Sequence, residues 1–283
     1  MLRIAIQTKG RLNEDSTELL SDAGVKINSS KRKFLTQAEN FPIEILYLRD
    51  DDIPQTVASG LADIGIVGLN EVEEKGLKVD ILQKLGFGGC RLSLALPKDE
   101  PYNGPSFLAG KTIATSYPNI LRRYMNEQGV ECKIAEISGS VEIAPAAGLA
   151  DAIFDIVSSG GTLVSNGLAE VEKVLFSEAV LIGTPGMDAE KKAVVEELMF
   201  RFESVIDSRG KKYILMNIPT DAVDQAVQII PAMRSPTIMP LAQEGWCSMH
   251  SVVEEKDIWN KIKALKEIGA EGILVLSLEK MIR

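Results

Sequence analysis

The sequence predicts an α/β protein of two lobes followed by a ferredoxin-like βαββαβ unit. Three observations lead there. The first two-thirds of the chain alternates strand-like and helix-like segments, the pattern of a sheet of parallel strands with helices on its faces. Stretches bearing Pro and Gly near Lys98–Pro105 and Gly183–Met187 interrupt that alternation and read as crossings between two lobes. The last ~75 residues change order to strand, helix, two strands, helix, strand. A length of 283 residues agrees with more than one core.

Element by element, Leu2–Gln7 is a strand and Thr8-Lys9-Gly10-Arg11 its following loop. A helix runs from Glu14 to Ala23, with Gly24 as its stop. Ile43–Leu48 is a strand followed by Arg49-Asp50-Asp51-Asp52, and Pro54 opens a helix ending near Ala62. Ile64–Val67 is a short buried strand, and Gly68 leads into a helix through Lys75. Leu92–Leu96 and Lys111–Thr115 are strands; Ser116-Tyr117-Pro118 turns into a helix over Asn119–Gln128, closed by Gly129. Lys133–Ile137 is a strand, Ser140 caps a helix to Leu149, and Asp151–Val157 is a strand. The loop Ser158–Thr162 then opens a further helix near Val164.

Beyond a polar linker at Asp207–Lys211, Lys212–Asn217 is a strand and Asp221–Ile230 a helix. Thr237–Leu241 and Trp246–Val253 are strands. Asp257–Ile268 carries Ile258, Ile262, Leu265 and Ile268 at helical spacing, and Ile273–Leu278 is the last strand. The expected division is residues 1–95 with 180–206 as lobe I, 96–179 as lobe II, and 207–283 as a C-terminal domain.

Composition excludes several classes. A net charge of −9 disfavours nucleic-acid binding, which wants a basic face. No apolar run reaches the ~18 residues of a membrane span, and the strand-like start at Met1–Ile6 leaves no signal peptide to expect. The three cysteines are scattered, so a reducing, cytoplasmic setting is expected. A single histidine, His250, rules out paired-histidine metal sites.

The most informative stretch is Ala150–Leu163. A buried strand carries Asp155, and Ser158-Ser159-Gly160-Gly161-Thr162-Leu163 opens a helix. Backbone N–H groups in such a loop face an anion, and glycines let a phosphate approach closely. Asp155 can accept from two adjacent sugar hydroxyls, a combination that suits a ribose 5-phosphate. An ordinary strand–turn–helix junction capped by Ser or Thr explains the same residues. No GxxxxGK[ST] or GxGxxG occurs.

Lys9, Arg11 and Arg49 sit at strand ends, where ligands bind in α/β folds, and could face a polyphosphate together. Taken singly, each reads as a solvated loop cation. Asp50–Asp52 precede a helix and read as capping residues or as a magnesium site. Tyr117 could stack on a base or fill a helix start.

At these residues the sequence closely resembles ATP phosphoribosyltransferase in its long form. The resemblance is carried by Gln7–Leu12 (QTKGRL), Arg49–Pro54 (RDDDIP), Asp63–Gly68 (DIGIVG), Phe87–Ala95 (FGGCRLSLA), Ala114–Pro118 (ATSYP), Gly148–Leu163 (GLADAIFDIVSSGGTL), Ser235–Leu241 (SPTIMPL) and Ile273–Met281 (ILVLSLEKM). It implies two lobes like type II periplasmic binding proteins. It also implies the first reaction of histidine biosynthesis, in which adenine N1 of ATP attacks C1 of 5-phosphoribosyl 1-diphosphate and diphosphate leaves with magnesium. Asp155, Ser158, Ser159, Gly160, Gly161, Thr162 and Leu163 would form the donor loop. Lys9, Arg11, Leu12, Arg49 and Tyr117 would line the nucleotide site. Met233, Ser235 and Thr237 would bind histidine as feedback inhibitor, in a homohexamer in equilibrium with a dimer. The rival reading is a non-catalytic two-lobed protein that binds a small anion.

Overall fold

The computed structural model describes residues 1–27, 34–231 and 235–282. The chain divides into two compact units, Met1–Met199 and Phe200–Arg283.

The first unit holds two sheets. Its strands are β1 (Leu2–Gln7), β2 (Leu35–Gln37), β3 (Ile43–Leu48), β4 (Ile64–Gly68), β5 (Asp80–Lys84), β6 (Cys90–Pro97), β7 (Thr112–Thr115), β8 (Lys133–Glu136), β9 (Ala152–Val157), β10 (Leu168–Ser177) and β11 (Ala179–Gly183). Its helices are α1 (Arg11–Asp22), α2 (Ile53–Ala58), α3 (Leu69–Lys75), α4 (Pro118–Glu127) and α5 (Gly161–Ser165); α6 (Ala189–Ser208) runs across the division.

One sheet has the order β2-β3-β1-β4-β11-β5. Its inner strands are apolar on both faces, with Ile4, Ile6, Ile43, Ile45, Ile64 and Ile66 fully buried, as expected for strands covered on both sides. Ile53 and Val57 of α2 pack on Ala5, Val67, Val180 and Ile182. The other sheet has the order β10-β6-β9-β7-β8. Strand alternation sorts its side chains between two cores. Leu92, Leu94 and Leu96 meet Ile120, Leu121 and Met125 of α4. Ala95, Ile153 and Val157 meet Leu163 and Val141 on the opposite face.

Several expectations need correction. The alternation suggested parallel sheets, yet β11–β4, β10–β6 and β6–β9 pair antiparallel. Only Glu178 separates β10 from β11, so one nearly continuous extended stretch supplies the antiparallel partner of β6 in one sheet and of β4 and β5 in the other. The crossings between sheets also lie elsewhere: the chain passes from β5 to β6 over residues 85–89 and returns at Glu178. These two strands of chain bond each other, Leu85 N–H to the Ala179 carbonyl at 3.0 Å and Ala179 N–H to the Phe87 carbonyl at 2.9 Å. Lys98–Pro105 instead begins the connection of β6 to β7, and Gly183–Met187 leads into α6.

The helix expected from Ser140 to Leu149 is a single 3-10 turn at Val141–Ile143; Pro145 cannot donate the N–H a longer helix would use. The helix expected from Val164 ends at Ser165, and the chain turns at Gly167 (φ 68°) into the long strand β10. The linker expected at Asp207–Lys211 is the end of α6, a turn at Gly210 and the start of the next strand.

The second unit contains β12 (Lys211–Pro219), α7 (Val223–Ile229), β13 (Thr237–Pro240), β14 (Trp246–Glu254), α8 (Ile258–Glu267) and β15 (Glu271–Ser277). Its sheet is antiparallel in the order β13-β14-β12-β15, the βαββαβ arrangement the sequence predicted. Ile214, Met216, Ile218, Met249, Ala226 and Leu265 form its core under the two helices.

Candidate active site

The site is built where strands of the two sheets in the first unit end and helices begin, the usual place for a ligand in α/β architecture. After β1, Gly10 takes φ 91° and starts α1 at Arg11. The ends of β1 and β3 are joined by the Thr8 N–H, which donates to the Leu48 carbonyl at 2.8 Å. Arg49 and the 3-10 turn Asp50–Asp52 follow. From the other sheet come Tyr117, just before α4, and Ser158, just after β9.

Two cavities lie side by side here. One, of about 730 Å³, is lined by Arg49, Asp50, Asp51, Glu71, Tyr117 and Arg122 among others. The second, of about 360 Å³, is lined by Gly10, Arg11, Leu12, Cys90, Ile156 and Ser158 among others. Asp50 and Glu71 border both. The fold therefore brings Arg11, Leu12 and Ser158 to one cavity and Arg49 and Tyr117 to its neighbour. Lys9 is exposed on the loop after β1 and lines neither, nor do Asp155 and Ser159–Leu163 of the donor loop, which reaches the smaller cavity only through Ser158.

The cations at the mouth are lightly engaged. Arg11 is 86% exposed and 4.0 Å from Asp15. Arg49 is 79% exposed and 3.2 Å from Asp51. Exposed pairs of this kind give way easily to a stronger anion.

The glycine loop has a defined form. Gly160 takes φ 83° and is the N-cap of α5. The first bond of that helix runs from the Val164 N–H to the Gly160 carbonyl, so the N–H groups of Gly161, Thr162 and Leu163 precede the intrahelical ladder. Ser158, Ser159 and Thr162 are exposed. The Leu163 side chain is buried in the core, so only its backbone faces the loop. Asp155 accepts the Ile156 N–H at 2.8 Å. Burial pushes the Asp155 carboxyl above its usual range, opposed by that backbone bond.

Sequence reasoning missed a buried polar network between the two sheets. Tyr117 donates its hydroxyl to Oε1 of Glu71 at 2.9 Å, and Nδ2 of Asn70 donates to the same oxygen at 3.0 Å. Asn70 is tied to β10 in turn: its N–H donates to Ser177 Oγ at 3.0 Å, and Ser177 donates to Asn70 Oδ1 at 2.8 Å. Burial pushes the Glu71 carboxyl up; the Tyr117 bond opposes this, and Asp50 and Asp51 add to it. Burial and the Glu71 charge push the Tyr117 hydroxyl well above its ordinary value. Glu74 accepts the N–H groups of Asn119 and Ile120, both at 2.9 Å, at the start of α4. A signal for these residues existed: Asn70 and Glu71 follow a strand end at Gly68 just as Lys9 follows β1. An acidic helix reads in sequence as a solvated face, which hid them.

A family model described as ATP phosphoribosyltransferase matches residues 49–204. ATP phosphoribosyltransferase of Bacteroides thetaiotaomicron is 59% identical over 282 residues, covering the whole of both chains. The chain belongs to the ATP phosphoribosyltransferase family. As a member it is an enzyme of the first step of histidine biosynthesis, as the resemblance implied. The enzyme of Cytophaga hutchinsonii is 52% identical over 283 residues, covering 100% of this chain and 99% of that one. A second model, described as HisG, C-terminal domain, matches residues 208–280, which places this transferase with the long form. Among solved structures, the ATP phosphoribosyl transferase (HisG:HisZ) complex of Thermotoga maritima has a chain 31% identical, with TM-score 0.65, covering 73% of this chain and 98% of that one. A substrate-binding protein of an amino acid ABC transporter is 12% identical with TM-score 0.50, covering 73% and 93%; that likeness shows the binding-protein fold of the transferase core alone.

Proposed function

We propose that the strand-end cleft holds 5-phosphoribosyl 1-diphosphate against the Ser158–Leu163 loop and ATP beside Leu12 and Tyr117. The observation that carries this reading is the loop itself, where Gly160 at φ 83° starts α5 next to Asp155. The N–H groups of Gly161–Leu163 donate to the 5-phosphate, and Ser158, Ser159 and Thr162 add hydroxyl donors. Asp155 accepts from the ribose hydroxyls. Arg11, Arg49 and Lys9 offset the charge of triphosphate and diphosphate. Adenine N1 is itself the nucleophile toward C1, so the protein supplies orientation and charge stabilisation. That division of labour fits a chain whose one histidine, His250, lies on β14 of the second unit.

Magnesium fits this site as a companion of the diphosphate. Such an ion keeps several waters and arrives on substrate phosphates, so it needs few protein ligands. Its chemistry would be neutralisation of the leaving diphosphate. Asp50 and Asp51 are the cavity carboxylates available to it; Oδ1 of Asp51 accepts no well-aligned hydrogen bond and faces the exposed Arg49 Nε at 3.2 Å.

The second unit we read as the histidine sensor, with Ser235 and Thr237 among its contacts. Both are exposed, and Thr237 pairs with His250 across β13 and β14. Met233 lies outside the described residues. Exposed apolar side chains on β13 and β15 (Ile238, Met239, Leu274, Leu276) support assembly toward a homohexamer in equilibrium with a dimer; light scattering with and without histidine checks it. The free cysteines support a reducing, cytoplasmic setting; no helix among the described residues is long and apolar enough to cross a membrane.

Mass spectrometry after incubation with ATP, the diphosphate donor and magnesium tests the whole reading. A product carrying the mass of ATP plus one phosphoribosyl group supports it; recovery of unchanged ATP with active-site residues intact contradicts it.

A further inference from the structure

We infer that Arg91 and Glu170 form a brace that sets the backbone of the donor loop, making Arg91 a positioning residue for the phosphoribosyl donor; this rests on the reading of Ser158–Leu163 as the donor site. Arg91 lies on β6 opposite Val157, the last residue of β9. Its Nη1 donates to the carbonyl of Ser158, the first loop residue, at 3.0 Å. Nε and Nη2 donate to Oε1 and Oε2 of Glu170 on β10, at 2.5 and 2.6 Å. Ser93 donates to the same Oε1 at 2.7 Å. Both side chains are about one-fifth exposed, at 21% and 19%.

The chemistry follows from the geometry. A guanidinium held by two parallel bonds to a carboxylate has a fixed plane. Its remaining N–H arm then fixes the Ser158 carbonyl. Because the peptide is trans and planar, the Ser159 N–H must point away from Arg91. The brace thus sets the first peptide plane of the loop that leads to the Gly161–Leu163 donors. The charge of Arg91 is matched by Glu170, whose carboxyl the Arg91 hydrogen bonds hold below its usual range. Arg91 therefore serves as a strut for the loop, whereas a phosphate clamp would keep its charge free.

Steady-state kinetics of the full-length enzyme separate these roles, with Arg91→Lys, Arg91→Met, Glu170→Gln and Gly160→Val compared. Lys keeps the charge but cannot hold both partners, so the donor KM should rise by about tenfold. Glu170→Gln frees the positive charge; a strut predicts a higher donor KM, a direct phosphate contact a lower one. The ATP KM should stay within about twofold in both, because the ATP side of the cleft is untouched. If Arg91→Met does not fold, Arg91→Lys and Glu170→Gln still decide the matter. A raised donor KM in Gly160→Val with none in Arg91→Lys or Glu170→Gln overturns the brace and leaves the donor loop standing. An unchanged donor KM in a folded Gly160→Val overturns the donor-site reading, and the brace with it.

Discussion

The hydroxyl of Tyr117, ahead of α4, donates to the carboxylate of Glu71, on α3, at 2.9 Å. The two residues belong to elements packed on different sheets, so the bond ties the lobes together beside the larger cavity. Both side chains are nearly buried, at 8% and 7% exposure. Tyr117→Phe removes the donor and leaves the carboxylate oxygen short of a partner. Stability should fall by about 1–3 kcal/mol, read as a lower melting temperature. ATP affinity should change by less than about threefold, since the ring remains. A collapse of ATP binding with unchanged melting would show that the hydroxyl contacts the nucleotide directly.

Glu71 gives the same network a pH signature. Its folded carboxyl holds a proton to higher pH than an unfolded one does. The stability it contributes is complete below the ordinary carboxylate range and is lost as pH rises through the folded value. Glu71→Gln cannot ionise and escapes that loss. The variant should gain on the natural protein in melting temperature between pH 4.5 and pH 7. A difference that does not vary with pH in thermal melts would contradict the assignment.

Glu74 reaches from α3 to the first N–H groups of α4 with both carboxylate oxygens. Glu74→Ala uncaps that helix and should cost about 1 kcal/mol, or about 2–4 °C in melting temperature. Unchanged melting would mean that water replaces the carboxylate without penalty.

Much of this was legible in the sequence where local pattern decides the outcome. Ile4, Ile43 and Ile64 mark buried strands by their apolar runs, and the turn glycines Gly10 and Gly160 mark strand-to-helix corners. The C-terminal unit followed from Ile258, Ile262 and Leu265 at helical spacing. Illegible were features set by distant partners. Leu168–Ser177 alternates charged and apolar residues and could not announce that it would pair with Cys90–Pro97. Glu170 reads as a surface acid until β6 brings Arg91 to it, 79 residues away in sequence. Glu71 reads as one of several acids on an exposed helix until Tyr117, 46 residues on, closes over it.

In the second unit, Thr237 is exposed at one edge of the sheet, so Thr237→Ala should leave melting and catalysis unchanged. The histidine concentration for half inhibition should rise by about tenfold, the loss of roughly one charge-assisted hydrogen bond. Inhibition should also be non-competitive with the donor, because coupling between separate sites acts through two global states. Undiminished sensitivity of the variant in an inhibition titration would move the histidine site elsewhere.

In the proposed donor site, the Gly160 corner presents backbone N–H groups to the donor phosphate. Gly160 sits at φ 83°, where a β-branched residue is strained, and a Cβ there points toward Val157 at 3.9 Å, with no clash. The measurement is a direct equilibrium titration of 5-phosphoribosyl 1-diphosphate into Gly160→Val and the natural enzyme, with melting curves alongside. The expected result is donor affinity at least about tenfold weaker with ATP affinity unchanged; equal donor affinity in a variant that melts like the natural enzyme would contradict it.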